Sequence, residues 1–578
     1  MANTLIAALP RQQSARKQEI VAQCLRDFRE AQTWRNTTAA QWEEIAGLIL
    51  PNFVNTFFYG NYNFPGQKKT QRQIDANGQL ALHRFTAILD SLLTPRNMFW
   101  HGLEAEYDYL MKDRQVRLWY EQACKVLFKQ RYAATANFSS QNQAVWQSLG
   151  AFGTGGIFVD ALFSETGHRG LRYRAVPMGE LYIKENHQGQ VDGFIRWFRM
   201  TARNARKMFP EEFPAQLQAA CDANSETPFN FLHVVRPRSE NEYDPLAIDH
   251  RSKPYCSYYV SIEGETLLKE GGYNTFPLPT SRYEQAPGET YGRSPAMMVL
   301  PALKTLNAQK AVFLKQGHRA SDPVLLTTDD GLTDVNRTPG ALNKGGMSAD
   351  GKRLIDILPT GNIQINEKMM NEEKALISDV FLVTLFQIMT ETPQMTATEV
   401  IERTNEKGIL LAPTVGRQQS EYLGPLIDRE LDLLSQLRLL PPMPPALREA
   451  KGSYSPVYTS PISRAMRAQE AAGFMRAVET VKELVNITGD PSLLDPFNFD
   501  TAVPAIAEIQ AVPASWMSTV KEIGQKRQSR ARQQQVQQNI QAMPAQAAML
   551  KAQAAVNKAQ PGIAPGEQGF GGPVQGQQ

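Results

Sequence analysis

At 578 residues the chain exceeds what one simple hydrophobic core holds, so several domains or one elaborated architecture are expected. Hydrophobic residues make up 42% and charged residues 21%, the balance of a globular protein, which excludes a largely disordered chain. The 61 basic and 58 acidic residues leave a formal charge of only +3, which excludes coating nucleic acid by bulk positive charge.

The four cysteines, Cys24, Cys124, Cys221 and Cys256, stand far apart with no C-x-x-C. That argues against a structural zinc site and for a reducing compartment. The N-terminal apolar run, TLIAALP, is too short for a signal peptide, and its charges follow it. The most apolar long segment, Ala375 to Met389, is interrupted by Asp379 and too short for a membrane span. A soluble protein of a cytoplasm, with no membrane partner, is expected.

Residues 14–35 predict an amphipathic helix with Ile20, Val21, Cys24, Leu25 and Phe28 on one side. Thr38 reads as the cap of a second helix stopping at Pro51. The aromatic stretch 52–66, NFVNTFFYGNYNFPG, reads as a packed surface loop or a partner contact. A helix follows over Leu80 to Leu93, ending at Thr94-Pro95, and more helix around Gln115 to Gln147. LGAFGTGGIFVD, with Gly150, Gly153, Gly155 and Gly156, invites a phosphate-loop reading. Such loops lead from a strand into a helix, whereas this one leads into a strand, so a tight helix-to-strand turn is expected.

From Gly156 to about Pro279 the pattern is β: LRYRAV, GFIRWFRM, FLHVVRP and YCSYYVSI run between turns. A short helix, Ala202 to Phe209 behind Thr201, interrupts it. At YGRSP, Ser294 can cap a helix with Pro295 at its first position. That helix reaches about Arg319, bent at Pro301, with Met298, Leu300, Leu303, Leu306, Val312 and Leu314 apolar. Lys304, Lys310, Lys315, His318 and Arg319 decorate it. Ser321 to Glu367, with three Pro and six Gly, reads as a small β-rich lobe inserted between two helices. Inside it Gly346 to Lys352 matches G-x-x-x-x-G-K, but Arg353 stands where magnesium binding needs Ser or Thr.

The second helix is expected over Lys368 to Met389, with Glu372 and Glu373 in its first turns, favourable to the helix dipole. A short loop, Thr390 to Met395, precedes Thr396 and Glu399, which form a capping box. A long amphipathic helix then runs to Leu440, kinked at Pro413 and Pro425. Leu426, Ile427, Leu431, Leu434 and Leu437 are its apolar set, with Arg429, Glu430 and Asp432 between them. PPMPP makes a rigid elbow, and helices follow over Ile462 to Ile487 and Thr501 to Ile509. From Gln525 helix formers rich in Gln and Ala extend to about Asn557, and the rest is expected to be disordered.

No catalytic, cofactor or metal residues emerge. The seven His are scattered without H-E-x-x-H. Glu43/Glu44, Asp329/Asp330 and Glu372/Glu373 are sequence neighbours that point in different directions and read as solvated charge.

Four stretches carry a family resemblance. ATEV-x-x-R-x-x-E from Ala397, R-x-x-x-E-x-L from Arg417 and P-L-I-D-R from Pro425 resemble the head-to-tail connector, or portal, proteins of short-tailed bacteriophages. D-S-L-L-T-P at 90–95, YGRSP at 291–295 and S-P-I-x-R-A from Ser460 are similar to the same family, in the same order. The resemblance spans Leu80 to Ala468, about two thirds of the chain. It implies an α+β, mainly helical fold of portal architecture. The α/β wing would begin at 1–290, with a first stem helix over 291–320, a small β-rich clip over 321–367 and a second stem helix over 368–389. A tunnel loop over 390–396, a long kinked helix returning to the wing over 397–462 and a helical crown over 463–524 would follow. Residues 525–578 would add a barrel helix and tail.

In function the resemblance implies a ring, usually of twelve copies, at one capsid vertex of the virion, assembled in the host cytoplasm. Double-stranded DNA passes through it, the terminase large subunit docks during packaging, and tail adaptor and tail tube proteins bind later. Major capsid and scaffold proteins surround it. Thr390, Glu391, Thr392, Pro393, Gln394 and Met395 would line the constriction, and Lys304, Lys310 and Lys315 the stem channel. Asp329, Asp330, Arg337, Lys344, Lys352 and Arg353 would dock motor and adaptor. Another virion oligomer of tail or scaffold type, without a DNA channel, is the alternative. A nucleotidase using Gly346 to Lys352 comes third.

Overall fold

The structure is a computed structural model. It describes residues 2–551 apart from 61–65, 71–72, 164–166, 168, 211–212, 241, 328–334, 360–362, 385–412, 451, 453, 460, 510–511, 513–515, 519–521, 538–548 and 550. The chain forms two compact units, Met1–Ala511 and Val512–Gln578. In the second, the backbone is helical over 522–537. The fold is α+β and mainly helical.

Helix α1 (Ala2–Ile49) is one uninterrupted element, not two. Thr38 lies mid-helix and caps nothing. The reason is burial: Ala39, Trp42, Ile45, Ala46 and Ile49 are all 0% exposed, so the core stripe runs straight through the expected break. Arg35, also buried, locks the middle. It donates to the carbonyls of Met178, Leu181 and Phe57 and to the Tyr182 hydroxyl, with its guanidinium 3.6 Å over the Tyr182 ring.

Next come α2 (Asn77–Leu93), β1 (His101–Glu104), α3 (Asp108–Met111), α4 (Arg114–Arg131) and α5 (Phe138–Phe152). The single helical stretch expected over 115–147 is therefore two helices, parted by a turn in which Asn137 takes φ 61°. Helix α5 ends on Gly153, φ 77°, whose N–H returns to the Leu149 carbonyl, and β2 (Thr154–Phe163) begins at the next residue. The glycine-rich segment is thus a helix-to-strand turn of the C′-glycine type. Trp42, Phe57, Phe152 and Tyr291 pack edge-on and tilted around it at 5.0–6.4 Å, so Phe57 of the aromatic stretch is packed inward, while Tyr59 is exposed.

The β region holds β3 (Arg169–Val176), β4 (Leu181–Glu185), β5 (Val191–Thr201), α6 (Ala202–Met208) and α7 (Ala215–Asp222). It continues with β6 (Pro228–Pro237), β7 (Tyr255–Ser261), β8 (Thr266–Tyr273) and β9 (Thr280–Arg282). Strands β4 to β8 form an antiparallel meander, and β3–β2–β9 a smaller sheet. In the β5–β6 register Phe194 faces Val235 and Trp197 faces Leu232. One face of the meander buries Ile195, Trp197, Leu232, Val234 and Tyr258 beneath Ile20, Val21, Cys24 and Phe28 of α1. Phe194 and Val235, of opposite parity, enter the main core instead.

After β9 come α8 (Pro295–Met298) and α9 (Leu300–Ser321), parted at Val299 just before Pro301. Ser294 caps α8: its hydroxyl accepts from the Met297 N–H at 3.0 Å and donates to the Ala151 carbonyl at 2.9 Å. Ser294→Ala removes both bonds at a buried site. We expect it to cost about 1–2 kcal/mol, read as a lower urea midpoint at unchanged slope.

Strands β10 (Leu325–Thr327) and β11 (Ile355–Ile357) pair with each other, and α10 (Ile363–Val380) follows. This helix begins before Lys368 and is interrupted after Val380; the backbone is helical again at 383–384, and residues 385–389 lie outside the described residues. Leu382 takes φ 62° while Phe381 and Val383 turn into the core at 0% and 2% exposure, which makes the interruption. Glu372 and Glu373 accordingly sit mid-helix, so the dipole argument for them lapses. The capping box of Thr396 and Glu399 lies outside the described residues.

The backbone is helical again over 413–418, passes through a π-turn over Gln419–Leu423 and continues as α11 (Gly424–Gln436). The Gly424 N–H reaches the Gln419 carbonyl, five residues back. Pro425 has no N–H and its ring crowds the carbonyl of Glu421, so the turn widens rather than breaks. The last elements of this unit are α12 (Pro445–Glu449), β12 (Ser455–Tyr458), α13 (Pro461–Thr488) and α14 (Phe499–Ile509). Strand β12 pairs antiparallel with β1, Gly102 opposite Val457. Neither strand is legible in the sequence.

Candidate functional site

The two features that single out this fold are a projecting helix pair, α9 with α10, and the buried polar framework that anchors α11 behind it. Helix α9 buries Leu300, Ala302, Leu303 and Leu306, all in its first two turns, and α10 buries Met370 and Ile377. Leu303 and Ile377 enter one core, while Gln316 meets Asn366 at 3.3 Å near the other end, so the pair is antiparallel. Beyond the base, Val312 and Leu314 are 50% and 45% exposed, and Ile365, Met369 and Leu376 are 59%, 48% and 50% exposed. A shallow apolar groove runs between the helices along Ala308, Val312, Ile365 and Met369.

The three stem lysines do not share one face. At about 100° per residue, Lys304 and Lys315 project within about 20° of each other, and Lys310 about 120° from the first and about 140° from the second. Lys304 is bridged to Glu44 of α1 at 2.5 Å. The Lys310 ammonium lies 5.4 Å from the Phe313 ring centre. Lys315 is exposed. Thr390, Glu391, Thr392, Pro393, Gln394 and Met395 lie outside the described residues.

Of the six residues read as a docking surface, Asp329 and Asp330 lie outside the described residues. Arg337 is paired with Asp322, and Lys344, Lys352 and Arg353 are exposed. The near-miss nucleotide loop closes on itself. The Ser348 N–H donates to the Lys352 carbonyl, the Gly351 N–H to Ser348 and the Leu354 N–H to Gly346. Those three amides are therefore spent, and the loop neither follows a buried strand nor opens a helix, as a phosphate cradle must. Among the described residues no group of His, Cys, Asp and Glu could hold a metal ion.

The framework behind the pair departs from the amphipathic pattern of its sequence. Arg429 and Glu430 were expected between the apolar positions of an amphipathic helix, yet they are 2% and 0% exposed. Helix α11 is buried nearly all round, so its charges had to be paired internally. Glu430 accepts from Arg131 Nε at 2.9 Å and from its NH2, and from the Tyr173 hydroxyl at 2.5 Å. Arg131 NH1 meets His101 Nε2 at 3.0 Å. Burial, then the Arg131 cation, holds His101 well below its usual range, so the imidazole is neutral and accepts. Burial, then the Glu430 carboxylate, holds the Tyr173 hydroxyl well above its usual range.

The π-turn is held as firmly. Arg282 reaches Glu421 at 2.8 Å, Glu185, and the Gly189 carbonyl at 2.8 Å. Gln418 donates to the Arg282 carbonyl at 2.8 Å, and the Tyr422 hydroxyl donates to Asn142 at 2.7 Å. Arg429 Nε donates to the Val159 carbonyl at 3.2 Å. The only sequence signal for this framework is an Arg-Glu pair within a leucine-rich run.

The model of a family described as bacteriophage head to tail connecting protein matches residues 21–517 of the chain. A probable portal protein of Bordetella phage BPP-1 is 25% identical over 527 residues, covering 88% of this chain and 91% of that one. A portal protein of Salmonella phage epsilon15 is 24% identical over 528 residues, covering 89% and 92%.

Proposed function

The chain belongs to the family of bacteriophage head to tail connecting proteins, and from that premise we propose that it is a portal: a ring at one capsid vertex of the virion. Double-stranded DNA enters through its channel during packaging and leaves through it during infection. The structural observation that carries the ring is the projecting helix pair. A lone pair of helices cannot cover Val312, Leu314, Ile365, Met369 and Leu376, whereas the same pair repeated around a closed axis can. Twelve copies is the stoichiometry proposed.

In this reading residues 291–320 and 368–389 form the stem and 321–367 the clip at its end. The terminase large subunit docks at the clip during packaging, and tail adaptor and tail tube proteins bind there afterwards. Asp329, Asp330, Arg337, Lys344, Lys352 and Arg353 serve that docking. Major capsid and scaffold proteins meet the wing, and assembly takes place in the host cytoplasm. No helix among the described residues is long and apolar enough to cross a membrane. The family is structural, and the chain's part in packaging is to guide DNA while the motor does the chemical work.

A near-neutral wall suits that task. Each phosphate neutralised adds a counterion-release contribution to affinity, so a strongly basic channel would brake the DNA. Lys304 and Lys315, on one face at two levels, centre the duplex, and Thr390 to Met395 form the constriction. Replacing Glu391 and Gln394 by Ala is expected to lower the DNA retained per particle while ring mass stays unchanged. Normal packaging and retention in that variant would contradict the constriction.

A further inference from the structure

The register of the helix pair points to a specific contact between copies. The Gln316–Asn366 hydrogen bond sets residue 316 level with residue 366. Six residues back along α9 stands Lys310, and six residues on along α10 stands Glu372. The helices are antiparallel, so both steps run about 9 Å toward the base, and the two side chains stand at one level. Each is rotated about 120° from the residue that meets the partner helix. Because the helices run in opposite directions, those rotations carry Lys310 and Glu372 to opposite flanks of the pair.

The two helices are complementary in charge. Residues 300–321 contain Lys304, Lys310, Lys315 and Arg319 and no Asp or Glu. Residues 363–380 contain Glu367, Glu372, Glu373 and Asp379 against Lys368 and Lys374. Among the described residues neither Lys310 nor Glu372 has an ion-pair partner. Beside Lys310 lie Ala311, Gly317 and Leu314, the last 45% exposed; beside Glu372 lie Ala375 and Leu376, the last 50% exposed. Small residues permit close helix approach, and the two leucines need cover.

We propose that a second copy of this chain covers this flank, α9 of one copy lying against α10 of the next, with Lys310 paired to Glu372 of the next copy. The inference rests on the ring reading above and deepens it. The stem runs along the ring axis, and rotation about that axis moves no residue along it. Positions level within one copy are therefore level between copies. The contact joins two different flanks, the heterologous geometry from which rings close. It places Lys310 between subunits rather than in the channel.

The test is a charge exchange across copies, read by mass photometry over a dilution series. Lys310→Glu alone and Glu372→Lys alone each place like charges at every junction. Each is expected to raise the concentration at which half the protein is in rings at least about tenfold. Mixing the two variants one to one lets copies alternate, so that every junction again joins opposite charges, and rings return near the wild-type midpoint. Single variants that assemble like wild type overturn the contact, and so does a mixture that stays unassembled. Rescue in the double variant without rescue in the mixture would put the pair within one chain and overturn it equally. Wild-type protein that forms no ring contradicts the ring reading itself, which separates the two failures.

Discussion

Glu430→Ala is expected to cost the first unit about 3–5 kcal/mol, because it strands the Arg131 guanidinium without its carboxylate in a site closed to water. Both side chains are 0% exposed, and Glu430 also takes the Tyr173 hydroxyl. Four elements, α4, α11, β1 and β3, meet at this pair, so its loss loosens the joint that fixes α11 against the rest of the unit. The measurement is the urea midpoint of the purified protein, with slope unchanged. Replacing both partners together, Arg131→Met with Glu430→Leu, is expected to recover most of the loss, since no charge is then left buried. If Glu430→Ala unfolds within about 1 kcal/mol of wild type, the pair is not closed to water as described.

The second large effect is expected at Gly153. Its φ of 77° disfavours any side chain, and a Cβ there would lie 2.1 Å from the Gly292 carbonyl oxygen. Neither can yield, because the oxygen is main chain and the Cβ is fixed by the backbone of residue 153, in the joint between α5, β2 and the segment leading to α8. Gly153→Ala is expected to cost at least about 4 kcal/mol, appearing as insoluble protein or a collapse of the unfolding midpoint. Gly288→Ala is the control. It shares the backbone geometry at φ 77° but has nothing within 4 Å of the added carbon. It should lose only the left-handed penalty of about 1–2 kcal/mol. Equal losses at the two sites would assign the effect to backbone strain alone.

Much of the fold is legible where a local rule decides it. The strands at 171–176, 193–200, 231–237 and 255–262 carry their own turn boundaries, and Ser294-Pro295 announces a helix start that the structure keeps. Gly153 reads as a turn because a helix pattern precedes it and a strand pattern follows. Failures fall where a distant partner decides. Thr37 and Thr38 weaken a helix locally, but the burial of Trp42 and the anchoring of Arg35 carry α1 through them. Strand β1 is recognisable only through β12, some 350 residues on, and each is four residues long. The end of α10 at Val380 depends on Phe381 and Val383 turning into a core built by other elements.

The site was legible in outline only. Family wording suggested the segments and grouped Lys310 with Lys304 and Lys315. Counting about 100° per residue separates it from them, and the register set by Gln316 and Asn366 places it level with Glu372. The burial of Glu430 was not legible, because a charged residue between leucines ordinarily marks the wet side of a helix and nothing nearby in sequence announces Arg131 as its partner.

The most direct test of the account is the mass and shape of the purified full-length protein, by mass photometry with negative-stain imaging. One subunit is 64.6 kDa, so twelve copies give 12 × 64.6, about 775 kDa. The account predicts closed rings near that mass with a central hole. A monomer or an open filament, persisting across salt and protein concentration, would contradict it.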